Sequence, residues 1–465
     1  MKQLRHFVLL LLLTPGVIYA SALHDYVAKP DANYAWRIVA QEPFSQGTRF
    51  VLHMVSQAWL TDRDVGRTLW RHWLVLNVPN RLDRDTALLY IGGSDNSRDL
   101  PQKQEMFIDM AVLTHSITAE LYNVPNQPLT FLSDPNLRQR SEDDILAFGW
   151  AEFYRLRDPE WLALLPMTKS AVRAMDTIHA FSNDPDDERK AVKRFVVSGA
   201  SKRGWTTWLC AAVDKRVIAI APIVVDAPNM EASIRHHYRA YGFYSEALTP
   251  YVENGITESL FTPRSQAARA IIDPYTYHRD ILIPKCIINS TGDQYFLPDS
   301  AQFYYQDLQG PKYLRYIPNT DHGLDETAGA TLRTFYRAVL RQRTLPTFTW
   351  TKPTPGSLVV HTQIKPRHVR LWQADNPSAR DFRLETIGPA WTSRDVAARQ
   401  TSPPGLEYAV TVSPPQQGWT AFMMELIFDD PVQPKGTVTL TTDVTVIPET
   451  LPFQEQSKAT PQDNR

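Results

Sequence analysis

Cysteine is nearly absent: 465 residues hold only Cys210 and Cys286. Each stands in an apolar setting, WLCAAV and PKCIIN, which predicts buried free thiols and leaves open whether the two pair. No CxxC or HExxH spacing occurs, so neither a zinc site nor any other cofactor is expected. Charge of one sign is lacking too. Lys+Arg total 49 against Asp+Glu 50, a formal net charge of -1, and there is no basic run. Nucleic acid and anionic lipid are therefore disfavoured as partners. Beyond the N-terminus no stretch approaches roughly 20 apolar residues, so no stable membrane span is expected. Internal repeats are absent, and nothing fixes an oligomeric state.

What is there begins with MKQLRHFVLLLLLTPGVIYASA. Lys2, Arg5 and His6 precede an apolar run, Phe7 to Leu13, and then come Pro15 and the small residues Ala20-Ser21-Ala22. That order predicts a signal peptide over residues 1–22, cleaved near Ala20 or Ala22, and an exported protein, periplasmic or secreted. An uncleaved anchor is the alternative. With 43% hydrophobic and 21% charged residues, the remainder is an ordinary globular chain, long enough for two domains.

From 23 to 345, short apolar runs alternate with helical patterns. FVLHMVSQAW, HWLVLNVP, TALLYIGG, SITAELY, RFVVSG, VIAIAPIVVD, PKCIINS and KYLRYIP read as strands. A helical piece around Gln102–Leu113, one opened by a Thr168 cap and one in 325–343 lie among them. Nearly continuous apolar strands predict an α/β fold with a mostly parallel sheet covered by helices on both faces. An aromatic-rich insertion, about 227–280, should project over the carboxyl edge of the sheet, where such folds bind ligands. Over 346–452 the chain turns to short alternating strands, which predicts a C-terminal β-sandwich. The polar tail, 453–465, is expected to be disordered.

The stretch RFVVSGASKRGWTTWLC joins a strand directly to a helix with Ser201 at the corner. A nucleophile elbow has this form, but serine also caps helices, and the glycine usual two residues after the nucleophile is missing: Arg203 stands there and Gly204 follows. Two further groups decide for catalysis. Asp293 follows the strand PKCIINS and His322 follows KYLRYIP, in the Ser, Asp, His order of α/β-hydrolases. His322 is expected to take the Ser201 proton through a hydrogen bond, with Asp293 orienting the imidazole. Asp299 competes for the acid role but reads as a helix cap, and Asp321 could orient the histidine instead. The Lys202 backbone N–H and the Gly92-Gly93 loop are the expected oxyanion donors. In the insertion Glu231, His236, His237 and Tyr238 are weaker candidates for substrate contact, and no metal ligand set is present.

SGASKRGWTTWLCAAVDKRVIAIAPIVVDAPNM, with VPNQPLTF, DPEWLALLPM, TGDQYFLPDS and NTDHGL, resembles the PhoPQ-activated pathogenicity-related protein family over roughly Ala28 to Pro452. The resemblance implies an α/β-hydrolase-like domain with a β-rich C-terminal domain, export in bacteria, and a link to envelope stress and virulence. It supplies no substrate. The corner is also similar to that of glucuronoyl esterases, where a basic residue follows the nucleophile; that likeness implies a Lys202 side chain assisting the oxyanion. The expectation is an exported serine hydrolase working through an acyl-enzyme on a small ester. The alternatives are a serine peptidase or aminopeptidase of the same fold and a hydrolase-fold binding protein without chemistry.

Overall fold

The computed structural model describes residues 15–96, 99–183, 191–401 and 405–454. Nine strands form the central sheet: β1 (Ala35–Phe44), β2 (Gly47–Ala58), β3 (Leu69–Pro79), β4 (Thr86–Ile91), β5 (Thr118–Leu121), β6 (Arg194–Ala200), β7 (Val217–Ile223), β8 (Lys285–Ser290) and β9 (Lys312–Ile317). Their spatial order is β1-β2-β3-β5-β4-β6-β7-β8-β9. The first three are antiparallel to their neighbours, and the six from β5 to β9 run parallel. β1 has only the short apolar run Ile38-Val39-Ala40 and lies at the sheet edge with half-exposed residues, so the sequence pattern did not reveal it.

The inner strands are apolar on both sides because each feeds two cores. Val197 joins Leu89, Ile220 and Ile287 in one cluster, whereas its neighbour Val196 joins Leu88, Ala219 and Ile288 on the opposite face. Alternation of side chains along a strand puts consecutive residues into different cores. Fully burying such a side chain contributes about 1.5–3 kcal/mol. Cys210 and Cys286 are buried free thiols, one in each core.

The helix expected to open at Thr168 begins earlier and runs Leu164–Ser182. Thr168 is no cap: its hydroxyl donates to the Leu164 carbonyl at 2.7 Å from inside the helix. Ala171, Met175 and Ile178 are fully buried on it, as their spacing requires. Of the expected leader, residues 1–14 lie outside the described residues. The rest continues into the helix Pro15–Ala28, whose Leu23, Tyr26 and Val27 pack into the core. Among the described residues no helix is long and apolar enough to cross a membrane.

After the helix Thr327–Leu340 the chain forms two antiparallel sheets, of four and five strands. Leu358 and Val410 of one sheet and Leu371, Phe422 and Met424 of the other share a core with Leu332 and Phe335 of that helix. The Tyr316 backbone N–H of β9 also donates to Thr441 Oγ1 at 2.9 Å. The topology changes near residue 346, but the apolar core does not. The expected tail lies, from residue 455 on, outside the described residues.

Candidate active site

β6 ends at Ala200 and the helix Lys202–Val213, the elbow helix, begins one residue after the serine. Ser201 alone makes the turn, at φ 60° and ψ −129°, a conformation that costs a non-glycine residue of order 1–3 kcal/mol. Its side chain makes no capping hydrogen bond, so the cap reading of this serine fails. Its backbone N–H donates to Ile223 O at 2.9 Å, and its carbonyl accepts from Trp205 N at 2.9 Å. Glycines on either side allow so tight a corner. A Cβ on Gly199 would lie 2.8 Å from Arg203 O and 2.9 Å from Arg203 Cβ, and one on Gly204 would lie 2.8 Å from Ile223 O. Arg203 can occupy the position usually held by glycine because Gly199, facing it, has no side chain.

Arg203 points away from β6. Its Nε donates to Val124 O at 2.5 Å and its Nη2 to Glu142 Oε1 at 2.6 Å. The guanidinium packs on Gly93, where a Cβ would stand 2.7 Å from Nη2. Lys202 Nζ pairs with Glu142 Oε2 at 2.8 Å and Asp143 Oδ2 at 3.0 Å. Glu142 is itself at φ 54°, at the start of the helix Asp143–Leu156. Burial alone would raise its pKa, but the Arg203 hydrogen bond and the Lys202 charge bring it down to about 2. This network was not legible in the sequence, where its partners stand about 60 residues apart.

Two loops at the carboxyl edge supply the other expected residues. Asp293 Oδ2 pairs with His322 Nδ1 at 2.8 Å, and Asp293 Oδ1 accepts the backbone N–H groups of Tyr295 at 2.7 Å and Phe296 at 3.3 Å. The His322 N–H donates to Gln294 Oε1 at 3.0 Å, and the Tyr295 ring packs on the imidazole at 4.4 Å. His322 Nε2 is buried without a hydrogen-bond partner, so the expected bond from Ser201 Oγ is not formed in this structure. Catalytic hydrogen bonds are often long or misaligned before substrate arrives. Asp321 does not orient the histidine: its Oδ1 accepts from Gly323 N at 2.7 Å and holds the turn.

Several expectations are corrected. Asp299 makes no side-chain cap; it accepts from His236 Nε2 at 3.0 Å and from Arg380 Nη2 at 2.6 Å, tying the insertion to the C-terminal sheets. His237 Nε2 accepts from Ser245 N at 3.1 Å, and burial pushes its pKa down to about 3. Glu231 pairs with Arg269 at 2.6 Å, and Tyr238 packs on Tyr244. None of these four insertion residues reaches Ser201. The helix that carries them, Met230–Tyr241, turns Met230, Ser233 and Ile234 toward the pocket beside Ser201 instead. Gly92 is no oxyanion donor either, because its N–H is committed to Leu121 O at 2.7 Å. Lys202, first residue of the elbow helix, has a backbone N–H with no partner available within the helix. Among the described residues no cluster of three or more His, Cys, Asp or Glu is placed to hold a metal ion.

Beneath the site Asp226 is fully buried just beyond β7, accepting from Tyr304 Oη at 2.6 Å and from Tyr316 Oη. Burial pushes its carboxyl up to about 7 against the pull of those hydroxyls, with Asp293 and Asp299 adding repulsion. Its ordinary value is 3.8, so between about pH 4 and pH 7 the folded chain holds a proton that the unfolded chain has lost. The contribution of Asp226 to stability should therefore fall as pH rises through this window. Asp226→Asn should flatten the change; urea midpoints of both proteins at pH 5 and pH 8 measure it. Equal slopes would show that Asp226 does not titrate there.

Six parallel strands in this order, with a serine on the strained turn after β6 and carboxylate and histidine loops after β8 and β9, define an α/β-hydrolase fold. The chain belongs to the PhoPQ-activated pathogenicity-related protein family, whose model matches residues 23–383. It is similar to Autocrine proliferation repressor protein A of Dictyostelium discoideum, 34% identical over 475 aligned positions that cover 96% of this chain and 94% of that protein. Among solved structures it is similar to acetyl xylan esterase 1 from Thermoanaerobacterium sp. JW/SL YS485, at 15% identity and TM-score 0.47, covering 70% of this chain and 93% of that one. A glucuronoyl esterase from Solibacter usitatus matches at 14% identity and TM-score 0.39, covering 70% of this chain and 92% of that one.

Proposed function

We propose that the protein is an exported serine hydrolase, an esterase working through an acyl-enzyme. The observation that carries this reading is the Asp293–His322 pair at 2.8 Å, with Nε2 buried and unspent, on the sheet edge that holds Ser201 in a strained turn. In the proposed step Ser201 Oγ attacks the ester carbonyl while its proton passes to His322 Nε2. The C–O bond then breaks, and the same proton goes to the departing alcohol. Water repeats the sequence to release the acid and regenerate Ser201. Asp293 holds Nδ1 protonated and stabilises the imidazolium. The Lys202 backbone N–H is one donor to the oxyanion, whereas the Lys202 ammonium, held by Glu142 and Asp143, serves to position the corner. The N-terminal basic, apolar and small-residue order supports export. A role in envelope stress or virulence rests on the family's name.

A fluorophosphonate should label the wild type and not Ser201→Ala; absence of labelling on folded wild type would sink the nucleophile assignment. Turnover of p-nitrophenyl esters without aminoacyl anilides would select esterase over peptidase. The relative named as a proliferation repressor favours a second reading, an exported binding protein on the same scaffold, which an unlabelled but folded wild type would support.

A further inference from the structure

The pocket that reaches Ser201 is walled mainly by apolar side chains: Trp150, Trp205, Leu248, Ile256, Leu260 and Phe296. Four structural units build it. Trp205 belongs to the elbow helix, Trp150 to the helix Asp143–Leu156, and Leu248, Ile256 and Leu260 to the insertion. Phe296 follows directly on the loop that carries Asp293, so the apolar wall continues to the catalytic edge.

The charged groups in the wall are spent on one another. Asp143 accepts from Lys202 Nζ at 3.0 Å and from Tyr251 Oη at 2.8 Å, and Lys202 has Glu142 as a second partner. The Trp205 indole N–H is bound to Ile272 O at 2.5 Å, which leaves its ring as apolar surface. Thr257 adds a buried hydroxyl without a partner, able to meet a neutral polar atom but not to balance a charge. A substrate carboxylate or ammonium placed here would lose its hydration without gaining a counter-ion.

We infer that this pocket is the acyl site and that it selects an uncharged, apolar acyl group longer than acetyl. The inference rests on the serine hydrolase reading above. Ser201 lies in the wall, so a chain lying along Trp150 and Leu260 keeps its carbonyl carbon at the nucleophile. The insertion is then a specificity element whose apolar residues, rather than its histidines, choose the substrate.

The test is kcat/KM of the full chain on p-nitrophenyl acetate, butyrate, hexanoate and hemisuccinate. Each methylene buried should raise kcat/KM about fourfold until the pocket is full. Hexanoate should exceed acetate by at least tenfold, and hemisuccinate should fall below butyrate. Leu260→Trp, which fills the pocket, should cut the hexanoate-to-acetate ratio at least tenfold; Ile234→Trp, at a half-buried position, repeats the test if the first variant misfolds. Acetate turnover that depends on Ser201, with no rise along the series, overturns the acyl-site assignment and leaves the serine hydrolase standing. No turnover of any ester together with no fluorophosphonate labelling overturns both.

Discussion

Asp293→Asn is expected to lower ester turnover by about 10⁴-fold while leaving folding stability within about 1 kcal/mol of wild type. The reason lies in which end of the new amide faces the histidine. Asp293 Oδ1 accepts two backbone N–H groups, from Tyr295 and Phe296. An amide keeps its carbonyl oxygen there, because turning its NH2 toward two donors would leave all of them unpaired. The NH2 must then face His322 Nδ1, where Asp293 Oδ2 now stands at 2.8 Å. A ring that accepts at Nδ1 carries its proton on Nε2, the nitrogen that must receive the Ser201 proton. The hydrogen-bond count is preserved, so the fold survives, but the imidazole is held in the wrong tautomer. Measured kcat and urea midpoints separate the two effects. Turnover within tenfold of wild type would show that Asp293 is not the orienting carboxylate.

Residue order carried Asp293 and His322 because the fold converts sequence order into position: loops after β8 and β9 lie at one edge of the sheet. The same logic failed for Gly92. Its place after β4 was legible, but the hydrogen bond from its N–H to Leu121 depends on β5 pairing beside β4, and no local pattern encodes that. The insertion was legible as an insertion, and its aromatic content drew attention to His236 and His237. Helix rotation decided otherwise, burying both against the body of the protein and turning Met230, Ser233 and Ile234 to the pocket. Strand β1 was missed because an edge strand needs no long apolar run. Thr168 was misplaced because a threonine inside a helix can satisfy its hydroxyl on the preceding turn as well as a threonine at the cap can. Long-range pairings hid the network beside the serine. Lys202 and Arg203 lie about 60 residues from the carboxylates they meet, and nothing near either partner announces the other.

Arg203 is the residue where that hidden pairing has its largest consequence for stability, and Arg203→Met is expected to cost about 3 kcal/mol. Methionine matches the length of the stem but abandons two charge-assisted hydrogen bonds, to Val124 O and to Glu142 Oε1. Such bonds contribute about 1.5–3 kcal/mol each when buried. The arginine side chain is only 10% exposed, but Glu142 is 40% exposed, so water recovers part of the loss at the carboxylate. Val124 O has no such relief, since Val124 is fully buried. The expected readout is a lower urea midpoint at unchanged m. Arg203→Lys should restore less than half of the loss, because one ammonium cannot span both acceptors in the fork that the guanidinium makes. The damage should also reach Ser201. Arg203 packs on Gly93 and faces Gly199, the glycine that leads into the corner. Loosening it relaxes the strained turn, so fluorophosphonate labelling of the folded variant should slow at least tenfold. A variant within 0.5 kcal/mol of wild type, labelled at the wild-type rate, would mean that β6 and the elbow helix fix the turn without the arginine.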